Sequence, residues 1–584
     1  MNNHPALDTQ PEFANSLKKN TLVTAILLAT TISNASADNP QVAFGSYTSI
    51  QVNVDAFGRN IVNDMANEPS IAVNPTNPGN MVIGWRRFYV PVTSLSSPQG
   101  GYAYTQNKGL SWINGVHPNS PPITKRTDPS LDVDSQGNFY YQSLASGATS
   151  VDETSVFKSS DGGATWQGPV YQFNGDKNWI AVDRTGGTGD GHIYSTWRGD
   201  LTENPKYFVR SIDQGLSYAM PDEKLPVLIG FSRIAIGPNG EVYLSGRSET
   251  PMDFGDDPSP GVIMDDFYFL KSTNASDPND SPLFSAKSVD FGGYAATSLS
   301  GTSPNPLGAL GDVQIGADQS SGPLQGNIYM LANPVLPGWQ SGDKMDIHFI
   351  HSSDGGETWS APLRINDDPP SRGSLQWFPM LGVAPNSRID AVWYDTRNGT
   401  GSKPHRISQL YYSYSWDGGL TWSPNRPVTP AFNTHQPYLA TSGAAELQQY
   451  KMGDYTHLVS DANGAHIAYT ATYNGEQDVY YLNVFPDCNS NAVSDVIDLR
   501  QRLSGDINAN HTPDSCENIN VPGDIDGDRD VDQLDVNLVL AAKNKPASGS
   551  DDPRDLDHNG IINLLDSRKQ ALLCTRPRCA ESGT

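Results

Sequence analysis

Hydrophobic positions between residues 41 and 486 recur as one unit: a short apolar strand introduced by a polar or proline-containing step, then a turn, then a second strand. The copies lie at 68–85, 128–144, 176–197, 231–246, 311–333 and 376–395, with a weaker one at 453–472. Each reads as the two innermost strands of a four-stranded sheet, and self-similarity at this spacing predicts a closed ring of radial sheets. Seven units are expected, with six plus an inserted hairpin as the alternative. Pro69 and Pro129 sit at strand starts, where a missing N–H donor is tolerated. The seventh unit ends at 478–485 without a further strand. Residues 42–54 are expected to supply the missing one and close the ring.

A second pattern interleaves with the first: Ser/Thr-x-Asp-x-Gly-x-Thr/Ser-aromatic. It reads SSDGGATW at 159–166, SSDGGETW at 352–359 and SWDGGLTW at 415–422, with looser copies at 105–112 and 211–218. A degenerate copy is expected near 268–276. The aspartate can accept bonds from turn N–H groups, the glycine takes positive φ, and the aromatic packs between neighbouring sheets. Asp161, Asp354 and Asp417 are therefore expected to hold turns, not to catalyse. This pattern is the Asp box, or BNR repeat, and residues 41–486 resemble bacterial sialidases and their propeller relatives. The resemblance implies an all-β fold, a β-propeller of four-stranded blades.

The 584 residues carry a formal charge of −26 and a pI near 4.6, which argues against nucleic acid as a partner. The acidity is concentrated at the end, where residues 487–584 hold 18 of the 64 acidic side chains. GDIDGDRDVDQLD at 523–535 puts Asp524, Asp526, Asp528, Asp530, Asp532 and Asp535 at positions 1, 3, 5, 7, 9 and 12 of a loop. The segment at 555–566 repeats this with Asp555, Asp557, Asn559, Asn563, Asp566 and the carbonyl of Ile561, and with Gly560 at the tight sixth position. Such spacing wraps oxygen ligands around Ca2+. Each loop runs into an apolar-patterned helix, at 534–542 and 564–573. The pair resembles a type I dockerin, which implies a small α-helical calcium-binding domain and a cohesin-like protein partner. Two earlier loops, Asp487, Asn489, Asn491 and Asp498 and then Asp506, Asn508, Asn510 and Glu517, resemble thrombospondin type 3 calcium repeats.

Near the N-terminus, Lys18 and Lys19 precede an apolar stretch at 22–32 and the small-residue site Ala35-Ser36-Ala37, the form of an export signal. All four cysteines lie beyond residue 487, which fits an oxidising compartment. Cys488 with Cys516 and Cys574 with Cys579 are the natural pairs, which spacing alone leaves open. No membrane span is expected. The domain plan is therefore 1–37 signal, 38–486 propeller, 487–517 calcium loops and 518–584 dockerin-like domain, in a secreted protein.

In a propeller the loops entering first strands and leaving second strands form one mouth, and the boxes lie on the opposite rim. The repeat alignment sends Arg86, Arg87, Arg198, Arg247, Tyr394, Asp395, Arg397 and Trp377 there. So many arginines in so acidic a chain suggest an anionic ligand, an acidic carbohydrate, gripped by paired hydrogen bonds. Trp85, Trp197 and Trp393 are expected nearby as stacking surfaces. The resemblance implies an arginine triad, a tyrosine nucleophile with a glutamate partner, and an aspartate acid/base. Glu68, Asp128 and Tyr455 (or Tyr473) are the residue types in place, and Glu68-Pro69 stands where the family carries Arg-x-Pro. The expected activity is hydrolysis of O-glycosyl bonds of an acidic glycan, exo-α-sialidase-like. A non-catalytic glycan-binding or scaffold propeller and a polysaccharide lyase are the alternatives.

Overall fold

The computed structural model describes residues 39–89, 99–117, 123–147, 152–173, 175–198, 207–221, 224–248, 266–295, 303–306, 308–337, 344–370, 373–436, 451–489, 491–501, 504–506, 511–516, 521–527, 530–575 and 577–580. The expected export signal lies outside them, as do Asn508, Asn510, Glu517 and Asp528. The chain divides into Met1–Ser36 and a compact unit Ala37–Thr584, and only the second is described.

Residues 41–484 form a seven-bladed β-propeller of antiparallel sheets. The innermost strands are Asp64–Val73, Ile123–Val133, Asp176–Val182, Ile229–Ile236, Gln314–Ala317, Gln376–Val383 and His457–Ser460. The third blade keeps three strands, its fourth reduced to a bridge between Arg210 and Ala219. The seventh is completed from the N-terminus, as expected: Tyr47–Gln51 pairs with Asp478–Val484, and Gln41–Phe44 adds a fifth strand. Adjacent inner strands are stitched by side chains, with Ser70 Oγ accepting from Leu131 N and Ser130 Oγ from Ile180 N, each at 3.0 Å. Across the seam, Ile71 N donates to His457 Nδ1 at 3.2 Å.

The Asp boxes join outer strands and do what their chemistry predicts. In the sixth blade Asp417 accepts from Ser415 Oγ at 2.8 Å, Thr421 N at 2.9 Å and Thr421 Oγ1 at 2.5 Å. Asp161 and Asp354 repeat the same set. The degenerate box of the fourth blade keeps its hinge: Asn274 Oδ1 accepts from Ser272 Oγ at 3.0 Å and Leu283 N at 2.9 Å. Box tryptophans pack on the preceding blade, Trp422 against Phe349 and Trp359 against Phe269, at ring centroid separations of 5.1 and 5.2 Å.

The last box glycine is fixed by the same contact. Gly419 has φ +89°, and a Cβ there would lie 2.1 Å from the Phe349 ring. Gly419→Ala combines a left-handed backbone cost with overpacking, and is expected to destabilise the propeller by about 3–5 kcal/mol. Thermal unfolding followed by tryptophan fluorescence would show it. An unchanged melting temperature would mean the blade contact yields freely.

Candidate functional site

One irregularity recurs at the mouth. In five innermost strands two residues oppose one on the second strand, a β-bulge, and the first of the two has positive φ. These are Glu68 at 55°, Asp128 at 49°, Lys177 at 54°, Phe231 at 51° and Phe378 at 50°. The corresponding strand entries of blades five and seven carry Gly311-Asp312 and Gly453-Asp454, with the glycine taking the positive φ. A non-glycine residue held there costs on the order of 1–3 kcal/mol, and repetition around the mouth marks a position built to aim side chains.

The aimed side chains form one ion network. Lys177 Nζ lies 2.6 Å from Asp454, 3.5 Å from Asp128 and 3.6 Å from Asp176. Lys451 Nζ lies 2.6 Å from Asp454 and 3.5 Å from Glu68, and Arg86 Nη1 lies 3.6 Å from Glu68. Asp454 Oδ1 also accepts from Ala309 N at 3.0 Å. Beside them Arg233 pairs with Asp312 and lies over the Trp179 ring, 3.2 Å from its centroid.

The two candidate carboxyls differ sharply. Glu68 is fully buried, and neither of its oxygens has a hydrogen-bond partner among the described residues. Burial first, then the neighbouring charge of Asp128, pushes its pKa up to about 7 against the pull of Lys451 and Arg86. Burial also pushes Asp128 up, but Lys177, Arg86 and a 2.6 Å hydrogen bond from Thr127 Oγ1 outweigh it, holding Asp128 well below the usual range. Burial and the surrounding charges thus drive the two carboxyls apart, Glu68 upward and Asp128 downward.

Tyr455 lies against this network. Its hydroxyl donates to the Pro129 carbonyl at 2.9 Å, and burial, with Asp128 and Glu68, raises its pKa well above the usual value. Tyr473 contacts Tyr469 and the Pro430 carbonyl instead. Its pKa is raised by burial to about 12.

Several residues expected at the mouth are elsewhere. Trp377 and Tyr394 are buried in the sixth blade, where Trp377 Nε1 donates to Ser408 Oγ at 3.0 Å and Tyr394 OH to the Thr470 carbonyl at 2.7 Å. Trp85, Trp197 and Trp393 stand opposite bulges and fill the sheet, so none can stack on a sugar. Asp395 is buried and binds Arg397 at 2.8 Å, while Asp367 takes the other side of that guanidinium. Arg87 pairs with Asp64 at 2.8 Å, and Arg247 lies over Phe231, 3.9 Å from the ring centroid. Arg198 is half-buried at the end of the second strand of blade three, in register with Asp176. The arginine cluster of the sequence is thus largely matched by acids. Lys451, absent from the expected set, sits outside the repeats and is marked only by its three-residue spacing from Asp454.

Beyond residue 486 the acidic loops converge. Oxygens of Asp524, Asp526 and Asp535 lie within 4.8 Å of one another, as do those of Asp555, Asp557 and Asp566. Asp535 and Asp566 also cap the helices that follow, Gln533–Ala541 and Leu564–Leu572. Asp530 is buried close to Asp535. In the second loop, Asn559 N and Gly560 N donate to Asp555, and Ile561 N donates to Asn559 Oδ1. In the first loop after the propeller, Asn491 N donates to Asp487 at 3.1 Å, and the amides of Asn489 and Asn491 reach Asp498 at 3.1 Å. Asp506 accepts from His511 N at 3.1 Å. Disulfides join Cys488 to Cys516 and Cys574 to Cys579. Among the described residues no helix is long and apolar enough to cross a membrane.

No protein-family model matches the chain, and no curated protein matches it. Solved structures do. A Dyadobacter fermentans protein of unknown function is 14% identical, covering 75% of this chain and 98% of its own, with a TM-score of 0.34. A polysaccharide lyase of family PL25, an ulvan lyase, is 11% identical over 74% and 95%, with a TM-score of 0.40. A Trypanosoma rangeli sialidase is 11% identical over 76% of this chain and 59% of its own, with a TM-score of 0.33. The seven-bladed architecture stands on the sheet topology itself, not on these likenesses.

Proposed function

We propose that this is a secreted carbohydrate-active propeller that hydrolyses O-glycosyl bonds of an acidic glycan, with a calcium-binding, dockerin-like tail that docks it to a cohesin-like partner. One observation carries the catalytic part: positive-φ bulges place Glu68 and Asp128 in one cation-bridged network at the mouth, Glu68 buried without a hydrogen-bond partner and pushed upward in pKa, Asp128 held downward by Lys177 and Arg86. Two carboxyls driven apart in this way can divide acid and base roles. For the tail, the support is the donor set. Asp524, Asp526, Asp535, Asp555, Asp557, Asn559 and Asp566 offer only oxygens, at spacings that suit Ca2+. The loops at 487–498 and 506–517 are thrombospondin type 3-like in the same sense.

A second reading has its own observation. Glu68 is closed off from solvent, and the Tyr455 hydroxyl is committed to a main-chain carbonyl. On that reading the network braces the mouth, and the propeller binds glycans without cleaving them.

The test is incubation of the full chain with sialylated, uronate-containing, sulfated and neutral glycans. New reducing ends without ultraviolet absorbance near 235 nm support hydrolysis, whereas that absorbance marks lyase elimination. Binding without any product supports the second reading.

A further inference from the structure

The mouth network centres on a third carboxylate, not on either candidate. Asp454 is buried, and its Oδ2 takes the ammonium groups of both Lys177 and Lys451, each at 2.6 Å. Its Oδ1 accepts from Ala309 N at 3.0 Å. Each lysine reaches a candidate carboxyl only at longer range: Lys177 lies 3.5 Å from Asp128, and Lys451 3.5 Å from Glu68. A short, hydrogen-bonded ion pair outweighs a longer one, so both lysines belong first to Asp454. Glu68 keeps Lys451 and Arg86 nearby, yet neither of its oxygens has a hydrogen-bond partner among the described residues.

The fold fixes this centre from behind. Asn305 is fully buried, and its Oδ1 accepts from Met452 N at 2.7 Å. Its Nδ2 donates to the carbonyls of Gly453 at 2.8 Å and Ala309 at 2.6 Å. The segment around Asn305 is itself tied down: Thr434 Oγ1 donates to the Pro304 carbonyl and Phe378 N to the Leu310 carbonyl, both at 2.7 Å. One asparagine thus joins the backbone before Asp454 to the loop that binds the Asp454 carboxylate. Gly453, at φ +99°, lets the same backbone press on Glu68, since a Cβ there would lie 2.7 Å from the Glu68 Cγ.

We propose that Asp454 is a positioning residue, which holds Lys451 and Lys177 off the two candidate carboxyls and so keeps Glu68 from closing into an ion pair. What Glu68 does rests on the catalytic reading above; how Lys451 is held does not. In Asp454→Asn the amide oxygen can still accept from Ala309 N, but the anion that gathers both lysines is gone. Glu68 is then the acid nearest to Lys451. Loss of the Asp454 charge and approach of Lys451 both favour ionised Glu68. The other charged and titratable groups facing Glu68, namely Asp128, Arg86, Lys177 and Tyr455, are kept. Lys451→Met removes a cation that favours the ionised form, and so acts in the opposite direction.

Carboxyl 13C NMR of the glutamate-labelled full chain tests this, the Glu68 signal being the one lost in Glu68→Gln. Its titration midpoint should fall by about one to three pH units in Asp454→Asn and rise in Lys451→Met. Made in a Lys451→Met chain, Asp454→Asn should shift the midpoint by less than half as much, because the cation that moves is missing. The alkaline limb of kcat/KM should follow the same two directions with little change in KM. Shifts of one sign in both single variants, no shift in Asp454→Asn, or an equal shift without Lys451 would overturn the proposal. If Asp454→Asn does not fold, Lys451→Met decides, and a midpoint that fails to rise overturns it. Midpoints that move as expected in a chain that never cleaves a glycan support the positioning role and sink only the catalytic reading.

Discussion

Glu68→Gln is expected to lower glycan turnover by about two to four orders of magnitude while the affinity for the same glycan changes little, the signature of a lost proton donor. The substitution is nearly isosteric in a buried site, so it removes the proton and the charge without opening a cavity. Lys451 keeps Asp454 at 2.6 Å, so it is not stranded. The pH profile supplies an independent check. With Glu68 raised to about 7 and acting as the acid, kcat/KM should fall as pH rises through about 7. Asp128, held ionised by Lys177 and Arg86, should impose no loss until pH falls below the ordinary carboxylate range. Stability follows the same sign. A carboxyl whose folded pKa lies above its unfolded value contributes stability that is full below about 4.5 and is lost as pH rises through about 7. Glu68→Gln should flatten that slope in thermal melts across pH 4 to 8. Unchanged turnover in the variant would remove Glu68 from the chemistry, whatever the melts show.

The architecture was legible because each blade repeats the same local chemistry. The box residues Ser415, Asp417, Gly419 and Trp422 state a turn, a positive φ and an inter-blade contact in eight letters, and the structure spends each as expected. The site was legible in part. Glu68 and Asp128, which open two of the repeat units, do meet in one network, but the bulge that aims them is a backbone property with no fixed residue type, shared by glutamate, lysine and phenylalanine alike. The tryptophans misled for a related reason. Trp85 pairs across the sheet with Gly101, where a Cβ would meet its ring at 2.4 Å, so the indole covers a glycine inside the blade and faces no ligand. The arginines were visible and their partners were not. Arg397 and Asp367 are thirty positions apart, and only folding shows that one cancels the other.

Chelation of calcium in the full chain is expected to unfold the tail and leave the propeller standing. In each loop, oxygens that would repel one another are brought together, and the acid at the twelfth position does two jobs. Asp535 accepts from Ile525 N and Asp526 N in its loop and from Asp532 N at the helix start, and Asp566 accepts from Asp557 N and Asn563 N in the same way. A metal held in the loop therefore also fixes the helix cap, so loop and helix should order together. The small core between them, Val539, Ala542 and Ile562, is too slight to hold the fold alone. At calcium a hundredfold above its Kd, each occupied site contributes about 2.7 kcal/mol, on the order of 10 °C for a domain this small. The chain carries its own controls. All three α-helices of the described residues lie beyond Ser494, so circular dichroism at 222 nm reports the tail. All 11 tryptophans precede residue 423, so their fluorescence reports the propeller, apart from Trp416, whose ring meets His511 at 4.5 Å. Asp524→Ala with Asp555→Ala removes first-position ligands and spares both caps, so it should abolish the 222 nm response to calcium. A response that survives this pair, or a tail as protease-resistant in chelator as in calcium, would mean that the loops hold their shape without metal.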